Sequence, residues 1–196
     1  RQISTQPGLS RASLAEVLGL TKSTISMLVR DLVDEGWLTE RELIATGEVG
    51  RRATPLHLDP DRLALLGAEI GVDEARVVAT NLLGKVLDTR VVSYDDTPDP
   101  ASCIELVAAA LLGLARRLES RSGARQVLGI GVGLHGGVDE TLGVLRYAPH
   151  LGWRNVDVDG QLRSHFAGTP LEGLPLYMQN EANVAALAEF EFTGQS

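Results

Sequence analysis

Between Ser10 and Gly36 the apolar positions recur at helical spacing in two runs. Leu14, Val17 and Leu18 follow Ser10, a hydroxyl residue suited to capping a helix, and Gly19-Leu20 interrupts the run. Thr21 offers a second cap, after which Ile25, Leu28, Val29, Leu32 and Val33 fall at i, i+3, i+4, i+7 and i+8, predicting a helix laid on a core and ended by Gly36. The period then changes. Trp37 to Arg41 is strand-like, Thr46 to Gly50 reads as a loop, and Thr54 to Leu58 alternates as a returning strand. Two helices joined by a glycine-containing turn and followed by a hairpin predict a winged helix-turn-helix over residues 1–58. Arg1-Gln2-Ile3-Ser4 reads as the last turn of an earlier helix, expected to close the bundle and to lie ahead of this sequence.

Asp59-Pro60-Asp61 is a breaker cluster, and beyond it the pattern becomes extended. Ala64 to Val72, Ala75 to Leu82 and Lys85 to Tyr94 predict three consecutive strands. Asp99 with Pro100 starts a long amphipathic helix carrying Ile104, Val107, Ala108, Leu111, Ala115 and Leu118. Strands are predicted over 127–134, 144–147 and 174–179, and helices over 158–166 and 181–192. Three strands followed by alternating helices and strands is the order of one lobe of an actin-like ATPase (ribonuclease H-like) α/β fold, assigned to residues 59–196.

Composition changes this picture little, but charge does. Of 196 residues, 44% are hydrophobic and 22% charged, which excludes a disordered or low-complexity chain. The single cysteine, Cys103, can form neither an internal disulfide nor a cysteine-rich zinc site, and reads as a small core residue. No apolar run approaches the roughly 20 residues of a membrane span, and no basic-then-apolar leader opens the sequence, so a cytoplasmic protein is expected. The net charge of −8 argues at first against nucleic acid. The deficit, however, lies wholly in residues 59–196, because residues 1–58 hold seven basic and seven acidic side chains.

Within the head, Thr21, Lys22, Ser23, Thr24 and Ser26 stand at the start of the second helix, with Arg30 about one turn further along. Small hydroxyls and cations can approach base edges and phosphates. Arg51 and Arg52 leave the wing loop beside Gly50, where they could reach phosphate or a minor groove. Pattern alone leaves two readings of the helix pair, DNA binding and plain packing. In the body, Gly131 to Gly136 satisfies G-x-G-x-x-G after a strand, but Gly137 to Gly143 cannot open a helix, so the dinucleotide reading fails its context. The glycines then suggest either backbone close to a ligand or a tight turn. His57, His135, His150 and His165 lack ligand spacing, and no metal is assigned.

Gly129-Ile-Gly-Val-Gly-Leu-His-Gly-Gly-Val-Asp139, Ala148-Pro-His-Leu-Gly-Trp153 and Asn180-Glu-Ala-Asn183 through Glu189 resemble the ROK family of repressors and sugar kinases. The head, with Gly50-Arg51-Arg52, is similar to the winged helix that the repressor branch carries. The resemblance implies a homo-oligomer, dimeric or tetrameric, that binds operator DNA and responds to a sugar or sugar phosphate, with an ATP-dependent sugar kinase as the alternative. By motif match, the Gly136-Gly137 backbone and Asn180 would contact sugar hydroxyls, Glu181 would accept their hydrogen bonds, and His150 would lie near the sugar. Departures point away from phosphoryl transfer. Family kinases carry Asp where this chain has Glu181, and they hold nucleotide phosphates with an Asp, glycines and a Thr where it has Glu69-Ile70-Gly71-Val72-Asp73. No catalytic residue is therefore assigned. The resemblance also implies a second lobe and a structural zinc motif downstream of this sequence, and no cofactor within it.

Overall fold

The computed structural model describes residues 2–40, 54–94, 99–120 and 123–192, with the backbone alone for 187–192. Arg51, Arg52 and the expected wing loop Thr46 to Gly50 lie outside the described residues. Two compact units divide the chain, Arg1–Leu63 and Ala64–Ser196. The division falls a few residues beyond the predicted boundary at Asp59 because residues 59–62 are tied to the first unit. The Asp59 amide donates to the Trp37 carbonyl at 3.0 Å, and Arg62 donates to the Val33 carbonyl at 3.2 Å.

The first unit contains α1 (Gln2–Thr5), α2 (Arg11–Leu18), α3 (Lys22–Asp34), β1 (Leu38–Glu40) and β2 (Leu56–Leu58). Both predicted caps form. Ser10 accepts from the Ser13 amide and Thr21 from the Thr24 amide. Gly19 ends α2 at φ 65, a left-handed conformation that glycine adopts without a Cβ penalty, and α3 departs at 115° to α2. That is the helix-turn-helix corner. β1 and β2 pair antiparallel with Leu38 opposite Leu58, and the core gathers Ile3, Leu14, Ala15, Ile25, Val29, Leu38 and Leu56. The apolar stripe is narrower than its spacing predicts. Leu28 and Leu32 flank the buried line of Ile25 and Val29 on α3, Val17 and Leu18 end α2 beyond its buried Leu14 and Ala15, and all four are exposed.

In the second unit, β3 (Leu63–Ile70), β4 (Glu74–Asn81) and β5 (Val86–Ser93) form an antiparallel meander, followed by α4 (Pro100–Ser120), β6 (Gln126–Leu134), β7 (Gly137–Asp139), β8 (Val144–Ala148), β9 (Trp153–Asp157), α5 (Val158–Phe166), β10 (Leu176–Asn180) and α6 (Glu181–Phe192). The main sheet runs β10-β6-β3-β4-β5, with β10 parallel to β6, and β7-β8-β9 is a separate antiparallel sheet. Pattern missed β7 and β9. Asp99 caps α4 by accepting from the Ala101 and Ser102 amides, as Asp99-Pro100 predicts. One face of the main sheet, carrying Leu66, Ala68, Ile70, Val77, Ile130 and Val132, shares its core with Ile104, Leu111 and Leu118 of α4. Cys103 is buried in that core, as predicted, beside the Tyr94 hydroxyl at 3.0 Å, and burial pushes both groups' pKa values up.

Candidate functional site

At the start of α3 the hydroxyls are largely occupied with one another. The Thr21 oxygen lies 2.9 Å from both the Ser23 and the Thr24 hydroxyls while accepting from the Thr24 amide, so Thr21 and Thr24 build the helix end. Ser26 is half-buried. Its carbonyl accepts from Arg11, which also pairs with Glu40 at 2.9 Å, so Arg11 brackets α2, α3 and β1. Lys22, Ser23 and Arg30 are exposed, and among the described residues no carboxylate pairs with Lys22 or Arg30. Of the predicted DNA contacts, Lys22 and Arg30 therefore keep free functional groups, whereas the exposed Ser23 hydroxyl is shared with Thr21. Lys22 beside the helix N-terminus and Arg30 further along α3 are unpaired cations chemically suited to phosphate.

In the second unit, chemistry collects where β3, β6 and β10 end. Asn180 is the last residue of β10 and Glu181 the first of α6. The Asn180 amide donates to the Gly136 carbonyl at 2.9 Å and to Glu181 Oε2 at 2.8 Å, and its own oxygen accepts from the Ala182 amide. Asn180 thus braces the segment before β7 against α6. Glu181 Oε1 stands 3.5 Å from His135 Nδ1, and His135 Nε2 stands 3.2 Å from Glu69 Oε1. One imidazole lies between two carboxylates. Sequence spacing could not show this, because His135 meets partners 66 residues before it and 46 after it. Among the described residues no set of three His, Cys, Asp or Glu side chains is placed to hold a metal ion, this cluster included.

Glu69 and Glu181 also border a cavity of about 980 Å³ on the sheet face opposite α4. Gly67, Gly131 and Gly133 line it, and a Cβ built on Gly131 would meet nothing within 4 Å. These strand glycines keep the cavity deep. Gly136 and Gly137 have a different cause, since a Cβ on Gly136 would meet the Tyr147 carbonyl oxygen and one on Gly137 the Tyr147 ring. Close packing of β7 on β8 accounts for both. His150 is exposed in the turn between β8 and β9, and does not line this cavity. The structure therefore brings together Gly136, Asn180 and Glu181 of the predicted sugar contacts, adds Glu69 and His135, and leaves His150 apart.

A family model described as the ROK family matches residues 65–196, and one described as the MarR family matches residues 1–52. The xylose repressor of Caldicellulosiruptor bescii is 27% identical over 181 residues, which cover 92% of this chain and 43% of that protein. A solved ROK family transcriptional regulator, a homolog of the E. coli MLC protein, shares the fold with a TM-score of 0.74 at 20% identity, over 97% of this chain and 46% of that one. A ROK family glucokinase from Streptomyces griseus, solved with glucose and AMPPNP, has a TM-score of 0.55 at 25% identity, over 68% of this chain and 38% of that one. This chain spans less than half the length of the curated relatives it matches.

Proposed function

The chain belongs to the ROK family, whose model matches it across residues 65–196, and from that premise we propose that it is part of a sugar-responsive, DNA-binding transcriptional regulator, a repressor of carbohydrate genes. The observation that carries the reading is the capped helix-turn-helix of residues 2–40, joined in one chain to the ROK unit. The MarR-family match to residues 1–52 and the likeness to a xylose repressor support it. The protein acts in the cytoplasm, as a homo-oligomer whose paired heads meet a two-fold operator with half-sites about one helical turn, roughly 34–36 Å, apart. A sugar or sugar phosphate binds at the end of β10, where Glu181 accepts its hydroxyls and the Asn180 brace sets the carboxylate. The remaining contacts and any structural zinc belong to a further lobe. Effector binding then shifts the balance between conformers of different operator affinity.

A sugar kinase is the second reading, favoured by the likeness to the glucokinase. Departures from the kinase pattern weigh against it. Val72 and Asp73 stand where family kinases carry the second glycine and the hydroxyl that help hold nucleotide phosphates, and Glu181 stands where they carry the Asp base. A carboxylate in place of that hydroxyl disfavours a polyphosphate. The test uses the intact protein: genomic DNA fragments retained in moderate salt are identified, and retention is repeated with pentoses, hexoses, N-acetyl sugars and their phosphates. Retention of particular promoter fragments, altered by one sugar, is the expected result. Absence of selective retention together with sugar-dependent ADP release would overturn the regulator reading in favour of the kinase.

A further inference from the structure

The outward face of α3 carries a residue that the hydroxyl-and-cation pattern passes over. Ile25 and Val29 are each 1% exposed and mark the inward line of the helix. Successive helical residues advance by about 100°, so Met27 points about 180° from the midline of that pair. It is 58% exposed. Ser23 one turn before it and Arg30 one turn after it share this side, and further along come Asp31 and Asp34. Isolated exposed apolar residues are ordinary on a protein surface. Met27 differs in its position, the outermost point of the helix, between a hydroxyl and an unpaired guanidinium and just inside a capped N-terminus.

Distance along the axis places Ser23 and Met27 well ahead of the acidic end. At about 1.5 Å per residue, Met27 lies about 9 Å from the Thr21 cap, within the roughly 12 Å width of a major groove, Arg30 lies at about 14 Å near its edge, and Asp31 and Asp34 lie at about 15 and 20 Å. A groove entered by the N-terminal part of α3 therefore meets Lys22, Ser23, Met27 and Arg30 before it meets a carboxylate. Resting on the DNA-binding reading above, we propose that Met27 is a specificity-determining residue that packs its thioether on the C5-methyl group of a thymine. Among the four bases, only thymine presents an apolar group in the major groove. An unbranched, polarizable side chain of this length reaches it without offering a competing donor or acceptor. Lys22 and Arg30 supply the phosphate contacts that hold the helix at that depth.

The test takes the full-length protein and a pool of random-sequence duplexes. The duplexes it retains are sequenced, and in the tightest one each thymine is replaced in turn by deoxyuridine, which removes only the methyl group. Binding is measured for the wild type, Met27→Ala and Met27→Leu. At one thymine per half-site the wild type loses about fourfold in affinity, the scale of one buried methylene, while Met27→Ala loses almost nothing further and Met27→Leu retains the preference. The salt dependence of binding stays the same in all three, because no charge has changed. Folding is followed by thermal melting, which an outward-facing residue leaves unmoved. Equal losses for wild type and Met27→Ala at every thymine overturn the assignment to Met27 alone. Failure of the wild type to select any duplex overturns the DNA-binding reading as well.

Discussion

Gly136 and Gly137 show how one residue type can carry two meanings. From spacing they read as a ligand-approach loop or a tight turn, and in the structure Tyr147 occupies the space that either side chain would need. Gly131, five positions earlier, faces open space in the cavity. The two kinds separate by substitution. Gly136→Ala is expected to lower stability by about 1–3 kcal/mol, because the obstacle is a strand carbonyl that cannot turn aside, and Gly131→Ala to leave stability within about 0.5 kcal/mol. Urea unfolding of both variants checks this. Equal costs would mean that the β7–β8 contact is not what requires Gly136. Asn180 is similar in kind: the motif marks it, but the use of both its N–H groups on Gly136 and Glu181 emerges only from the folded chain.

Elements were legible in the sequence where period and caps agreed. The helices α5 and α6 have the limits that the pattern predicts, and α4 begins at the predicted Asp99-Pro100. β9 was not legible, because Asn155 at φ 49 breaks its alternation and leaves Trp153 and Val156 buried at a spacing of three. β7 has three residues, too few to show a period, and is held by its partner β8. That hairpin carries a pH dependence of its own. Arg146 donates to Asp139 at 2.6 Å, and this bond, aided by the Leu142 amide, holds the Asp139 carboxyl below its usual pKa. A depressed carboxyl adds stability that is fully present above its unfolded pKa of about 4 and is lost as pH falls through the lower folded value. Arg146→Ala should return the Asp139 titration, followed by carboxyl NMR, toward the ordinary value and flatten the acid limb of the unfolding curve. An unmoved titration would assign the shift to the backbone donors instead.

At the scale of the whole molecule, each unit has its own core, and the proposed regulation requires the DNA-binding and effector sites to be coupled. Coupling between binding sites is reciprocal. If a sugar weakens operator binding by a given factor, saturating operator must weaken sugar binding by the same factor, typically five- to 150-fold for couplings of about 1–3 kcal/mol. Calorimetric titration of the sugar into the intact protein, with and without operator, measures this. An effect in one direction alone would mean that the sugar acts elsewhere than on this protein. The parallel pairing of β10 with β6 has a consequence for how the molecule is made. The β3–β4–β5 meander closes through short turns, but β10 must return to β6 across the whole of the β7–β9 sheet and α5. Contacts between such distant segments form late, and during synthesis the N-terminal unit is free to fold first. Asn180 and Glu181 are positioned by that late strand. For the proposed regulator, a nascent or nicked product that stops before Leu176 would carry a finished helix-turn-helix and no means of hearing the sugar, and so could occupy an operator without being released.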